Sequence, residues 1–383
     1  MDKRFPGQDV GSLTKPRWRV KGYRGEPLSE EDVADAAQWG KRLRVGNLDA
    51  FVKLLTGRDS PSKREAILEW SAKYALRLFE AAGLDVLFDG EQWRSEMYEH
   101  VIRNVEGFKF LGLVKSFDYR YFNKAACINK PKHVKSFYLS EFLFTEKNTT
   151  KTVKIPFTGP YTLADWTFNE YYERKLGAKI KDLKQRKAKA RQEFLFDLVH
   201  EVVRPEISQL VKAGAKWIQI DEPAATTDPS DDEMELFTDA FNEATKGFNC
   251  AFSLHNCYSN YDVLARYACR LRDCTQLTLE FANRDSRQVG TERARKGYTQ
   301  LKLFEDYGFK GKYGLGVIDV HTDFIEPPEL VKDRILYAAK LVEDPNRIYV
   351  SPDCGLRTRT WDVSFQKLSN MVAGADLARK ALS

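Results

Sequence analysis

Along the chain, short runs of apolar and β-branched residues are each followed by turn residues and then by a longer stretch with apolar positions at helical spacing. The runs lie near residues 8–11, 84–88 (LDVLF), 152–157 (TVKIPF), 216–220 (KWIQI), 250–254 (CAFSL), 276–280 (QLTLE), 315–320 (LGVIDV) and 347–351 (RIYVS). This alternation predicts an α/β fold with a parallel sheet and covering helices. Eight such units favour a (β/α)8 TIM barrel, although a doubly wound open sheet produces a similar pattern. The region 109–150 breaks the rhythm. Its aromatic-rich runs KFLGLVKSFDYRYF and KSFYLSEFLF flank a polar stretch and predict an antiparallel excursion inserted into the barrel. No internal repeat or low-complexity linker divides the chain, so residues 1–383 read as a single domain.

Several polar residues follow the ends of these strands: Glu91, Asp221, Glu222 and His321. In a barrel such ends converge on one mouth, where active sites are built. His255 and Cys257 stand two positions apart at the end of an apolar run, and on an extended chain that spacing puts both on one side. A buried free cysteine by itself is ordinarily a small hydrophobe. Glu280 ends the next strand, however, and Cys354 follows the last one. One imidazole, two thiols and a carboxylate at the same end suit tetrahedral zinc, and two sulfurs disfavour magnesium or calcium.

Composition bounds these readings. With 43% apolar and 30% charged residues the chain is of ordinary globular type, and no apolar run of about 18 residues could span a bilayer. The opening MDKRFPGQDV lacks the apolar core of a secretory signal, and six scattered cysteines make no disulfide framework, so a cytoplasmic location with reduced thiols is expected. Cys127, Cys250, Cys269 and Cys274 read as ordinary buried or semi-buried thiols, and His100 and His133 show no partner in the sequence. Charge is uneven: the stretch 174–191 (RKLGAKIKDLKQRKAKAR) has nine basic residues against Asp182, a net +8 that leaves −2 for the rest of a +6 chain. It predicts a basic helix, continued by Leu195, Leu198, Val199, Val202 and Val203 until Pro205 interrupts it, with His200 structural. Such a helix can be a solvated face or can dock nucleic acid, a polyanion or an acidic protein. The nucleic-acid reading lacks a C-x2-C pair, a P-loop or an aromatic recognition motif.

The motifs IQIDEPA (218–224), LHNC (254–257), LTLE (277–280), GVIDVH (316–321) and SPDCGLRTR (351–359) closely resemble the catalytic barrel of cobalamin-independent methionine synthases. DVGSL (9–13), DVLFDGE (85–91) and GPYTLADWTF (159–168) extend the resemblance over nearly the whole chain, which is similar to the short, single-barrel members of archaeal and bacterial type. The resemblance implies a zinc-dependent homocysteine S-methyltransferase that makes methionine, with His255, Cys257, Glu280 and Cys354 as zinc ligands. It implies that Val10, Gly11, Ser12, Glu91 and Asp221 hold homocysteine, that His321 is the proton donor and that Trp166 stacks on the methyl donor. Paired carboxylates suit the α-ammonium group of an amino acid, and they argue against a related zinc alkyltransferase acting on coenzyme M, which has no amine.

Two donor-side residues depart from the family pattern, which has an acid where Thr227 stands and an Arg-Cys pair at Ala126-Cys127. At 383 residues the chain is expected to lack the second barrel of longer members. The expected donor is therefore methylcobalamin, another methylcorrinoid or a corrinoid protein docked on the basic segment, or else 5-methyltetrahydrofolate, with or without an accessory protein.

Overall fold

The computed structural model describes residues 3–115, 121–291 and 295–382, with Tyr121 by its backbone. Six parallel strands run side by side: β5 (Ile155–Thr158), β6 (Trp217–Asp221), β7 (Ala251–Asn256), β8 (Cys274–Leu279), β9 (Lys312–Ile318) and β10 (Ile348–Pro352). A second parallel pair joins β1 (Val86–Leu87) to β4 (Thr152–Val153), and only Lys154 separates β4 from β5. Single parallel bridges link Gly7 to Val350 and Gln8 to Val86, so the N-terminal segment lies between β10 and β1. Together these are the eight strand positions expected from the hydrophobic pattern, and the architecture is the TIM-type barrel.

The strands are nearly continuous apolar runs because helices cover their outer face. Ile218, Ile220, Phe252, Leu254, Leu277 and Leu279 are wholly buried. The alternate positions point into the barrel, and at one level they are polar: Gln8, Lys154, Gln219, Ser253, Gln276 and Ser351 are all buried. Gln219, Ser253 and Gln276 are direct partners across β6, β7 and β8. One level higher the same register brings Asp221 beside His255 and His255 beside Thr278. A two-residue period therefore stacks the candidate chemistry on a buried polar layer.

The inserted excursion is a hairpin of β2 (Val105–Lys115) and β3 (Tyr121–His133), paired antiparallel. Residues 116–120 of the first aromatic run lie outside the described residues. The second run, KSFYLSEFLF, is not a strand: Leu139–Asn148 is an α-helix, with Glu141, Phe142 and Thr145 buried along one side. Its polar positions Ser140 and Glu141 fall at consecutive places, which breaks strand alternation and leaves a helical face.

The basic segment is also not one helix. Glu170–Gly177 ends, and a new helix starts at Leu183 with the Asp182 side chain accepting from the Gln185 N–H at 2.7 Å. That second helix does not stop at Pro205. A π turn, Val199–Val203, leads directly into Arg204–Lys212 with Pro205 in its first turn. The wider turn accommodates a residue without an N–H, which a regular α turn would not. Among the described residues no helix is long and apolar enough to cross a membrane.

Candidate active site

His255 is the penultimate residue of β7 and Cys257 comes just after its end, while Cys354 lies two residues beyond β10. One ligand atom from each of the three lies within 4.8 Å of the others. The His255 Nδ1 is 3.0 Å from the Thr278 carbonyl oxygen, which fixes that nitrogen as the donor. Its Nε2 is buried and has no hydrogen-bond partner. Burial disfavours the imidazolium, but the Cys354 sulfur and the Asp221 carboxylate outweigh it and raise the pKa of His255 to about 9. Cys354 is held well below the usual thiol range by the Cys257 hydrogen bond, and by His255 against the cost of burial. Cys257 is correspondingly pushed up, first by the same hydrogen bond and then by burial. The cluster thus favours a thiolate on Cys354.

Glu280 stands outside that group of three. Its Oε1 accepts from Arg284 Nη2 at 2.7 Å, and its Oε2 is buried without a partner. Tyr261 grips its backbone, with the Glu280 N–H donating to the phenol at 2.7 Å. The segment that follows is held by Asp353, a residue sequence reasoning passed over. The Asp353 carboxylate accepts from the N–H groups of Phe281, Ala282 and Asn283 at 2.9, 2.9 and 2.7 Å. Its neighbour Cys354 is thereby tied to the loop that carries Glu280. Burial, then the Glu280 charge, raises Asp353 to about 7. Gly316 makes this possible, since a Cβ there would collide with the Asp353 carboxylate.

Glu91, in the turn after β1, and Asp221, the last residue of β6, face the same region. Glu91 has φ 55, a left-handed backbone rare outside glycine, and its N–H donates to Asp89 Oδ1 at 2.8 Å. Arg94, buried beneath, lies 3.6 Å from Glu91 Oε1 and 2.8 Å from Glu141 Oε2. Asp221 is raised to about 7 by burial, partly opposed by the positive charge of His255. Gly11 packs against Glu91, where a Cβ would come within 3.0 Å of Oε1. Ser12 lies against Gly355, the residue after Cys354, so closely that a Cβ on Gly355 would clash with it. Gly11, Ser12, Glu91 and Asp221 thus lie close to one another and to the segment that carries Cys354.

Glu222 does not face the mouth. Its carboxylate accepts from the Tyr161 and Thr162 N–H groups at 3.0 and 2.6 Å, capping the short helix Pro160–Asp165. That helix ends at Trp166, whose ring packs between Tyr98 and Phe122, the latter from the hairpin. His321 is partly exposed, with its Nδ1 and its N–H both on Asp319 Oδ1, at 3.0 and 2.8 Å. The Asp319 hydrogen bond raises the His321 pKa. The Tyr258 ring meets its face edge-on at 5.3 Å. Thr227 is occupied with the Ala224 carbonyl at 2.8 Å, and Ala126 and Cys127 are buried in β3.

His100 and His133 do have partners, the Phe137 carbonyl at 2.9 Å and Glu206 at 2.7 Å, both contributed by distant segments. Cys269 is exposed rather than buried, whereas Cys127 and Cys274 are buried. In the basic stretch, Arg191 turns inward to Glu233 at 2.7 Å and Asp165 at 3.3 Å, while Lys184, Lys187 and Lys189 remain exposed.

A parallel barrel whose strand ends gather a thiol-imidazole cluster beside paired carboxylates defines a barrel enzyme with its site at the C-terminal mouth. Residues 49–377 match the catalytic domain of the cobalamin-independent synthases, and the chain belongs to that family. It is 37% identical over 382 residues to a methionine synthase of Pyrococcus horikoshii, covering 99% of this chain and 94% of the relative. A methionine synthase of Thermoplasma volcanium is 39% identical over 342 residues, covering 85% and 93%. The fold is also that of a B12-independent methionine synthase from Shewanella sp. W3-18-1 solved with selenomethionine, at TM-score 0.74 and 23% identity over 99% of both chains. The chain is accordingly a methyltransferase of the methionine synthase type. A family defined as cobalamin-independent corrects one expectation: the methylcobalamin, methylcorrinoid or corrinoid-protein donor conflicts with it.

Proposed function

We propose that the protein is a zinc-dependent homocysteine S-methyltransferase, working in the cytoplasm as one catalytic barrel over residues 1–383. Its donor is an N-methyl compound of the 5-methyltetrahydrofolate type, and its product is methionine. The observation that carries this reading is the approach of His255, Cys257 and Cys354 to within 4.8 Å, next to Glu91 and Asp221.

The donor set fits zinc. His255 Nε2 and Glu280 Oε2 are buried and unpartnered, so His255, Cys257, Cys354 and Glu280 would supply nitrogen, two sulfurs and oxygen. Zinc bound there would supply a Lewis acid that keeps a thiol ionised near neutral pH. The protein's own groups do the rest. Glu91, Asp221 and the Val10 carbonyl take the substrate ammonium, while backbone at Gly11 and Ser12 receives its carboxylate. Trp166 offers an aromatic face to the donor. As the sulfur–methyl bond forms, the nitrogen–methyl bond breaks and its electron pair remains on the amine. His321, with Nδ1 held by Asp319, carries the proton that neutralises that nitrogen from Nε2.

The test is methionine formation from homocysteine and 5-methyltetrahydrofolate by zinc-loaded protein, alongside Glu91→Gln. Turnover with a homocysteine KM raised about 10- to 100-fold in the variant is expected, the loss of one charged hydrogen bond. Absence of methionine from protein holding one zinc per chain, or an unchanged KM, would overturn the assignment.

A further inference from the structure

Beneath the acceptor pocket lies a buried amide whose two ends are committed to different partners. Gln219 is fully buried on β6, two residues before Asp221 and on the same face. Its Oε1 accepts from Lys154 Nζ at 2.6 Å. Its Nε2 donates to the Val10 carbonyl at 2.5 Å and to Asp221 Oδ1 at 2.8 Å. Lys154 is itself buried and donates to the Asp9 carbonyl at 2.9 Å, one residue before Val10.

An ammonium group has donors only, so the end of Gln219 that faces Lys154 must be the oxygen. The nitrogen is then aimed at the pocket, and both of its N–H bonds are used. Two acceptors from separate parts of the chain, the N-terminal segment and β6, are thereby held within hydrogen-bond reach of one nitrogen. Because neither N–H remains free, Gln219 itself offers the pocket no donor and holds two acceptors there, the Val10 carbonyl and Asp221, beside Glu91 from the turn after β1, whose own cationic neighbour is Arg94 at 3.6 Å. That arrangement recognises a cation. We propose that Gln219, oriented by Lys154, is the positioning residue that sets the specificity of this pocket for an ammonium-bearing thiol. The inference rests on the acceptor site proposed above and adds the element that assembles it.

The experiment measures binding of homocysteine and of its deaminated analogue, 4-sulfanylbutanoate, to the zinc-loaded protein, to Gln219→Met and to the isosteric Gln219→Glu. Zinc content and melting temperature are recorded for each. The wild type should prefer homocysteine. Gln219→Met should bind homocysteine about 10- to 100-fold more weakly, the effect of unseating two buried acceptors, with the analogue's affinity unchanged. In steady state, KM for homocysteine should rise while kcat stays within about threefold, a split that general loosening of the barrel would not give. Gln219→Glu keeps the Lys154 contact and the side-chain shape but turns an oxygen toward Val10 and Asp221, so it should lose the same preference even if Gln219→Met fails to fold. If the wild type discriminates and a folded variant discriminates equally well, the positioning role is overturned while the acceptor site stands. If the wild type itself binds both thiols alike, the acceptor reading fails first.

Discussion

The Nδ1 of His255 sits 3.0 Å from the carbonyl oxygen of Thr278, its register partner on the next strand. The sheet itself therefore selects the tautomer, and Nε2 is left facing Cys354 and Cys257. A ligand fixed by backbone cannot easily be lost by side-chain mutation nearby, so the sulfurs are the sensitive members. Cys354→Ala should lower zinc affinity by more than the about 10- to 100-fold typical of losing a supporting partner, read by competition with a chromophoric chelator. Retention of tight zinc by that variant would remove Cys354 from the ligand set.

Asp353 collects three N–H groups from the loop after Glu280 while its own neighbour is Cys354. Asp353→Asn replaces one acceptor oxygen by a donor aimed at those N–H groups. A loss of about 1–3 kcal/mol in denaturant unfolding is expected, together with weaker zinc binding in the folded variant. An unchanged unfolding midpoint would show that the loop holds itself.

The Asp319–His321 pair sets a pH dependence. Asp319 raises the pKa of His321, and its own pKa is lowered, burial notwithstanding, by the His321 hydrogen bond. The raised histidine contributes stability that is full below the unfolded histidine value and disappears as pH rises through the folded one. The depressed aspartate contributes stability present above its unfolded value and lost as pH falls through the folded one. If protonated His321 supplies the amine's proton, kcat falls as pH rises through its raised pKa. In Asp319→Asn that fall should move to lower pH in the pH–rate profile. An unmoved profile would assign the titration to another group.

Trp166 packs at 5.1 Å from Phe122 and 6.0 Å from Tyr98, at the end of the helix that Glu222 caps. Trp166→Ala should raise the donor KM about 10-fold, from loss of roughly 1.5 kcal/mol of stacking, and leave homocysteine binding unchanged. Equal loss for both substrates would mark the ring as core packing.

What the sequence revealed follows the ranges over which its signals act. Strand alternation placed His255 and Cys257 on one side, and the same period stacks Trp217, Gln219 and Asp221. The barrel rhythm brought Cys354 to them across the fold. Partners chosen by three-dimensional proximity carried no such signal. Asp353 carries no role of its own in the sequence, and its carboxylate caps residues 281–283; Lys154 is one residue of the expected strand 152–157, and its ammonium reaches Gln219. Glu222 was misjudged for the same reason, since position after β6 cannot tell a side chain that enters the mouth from one that caps Pro160–Asp165. The helix at Leu139–Asn148 was missed because its aromatic content outweighed its weak periodicity. The π turn before Pro205 depends on how Val199–Val203 packs, which no local rule anticipates.

In the proposed function the thiol acceptor is held through the His255–Cys257–Cys354 cluster. Calorimetric titration of homocysteine into zinc-loaded and chelator-stripped protein tests it most directly. One site per chain with zinc, and affinity lost on stripping but restored by one equivalent of the metal, is the predicted result. Equal affinity with and without zinc would show that the cluster does not hold the thiol through a metal.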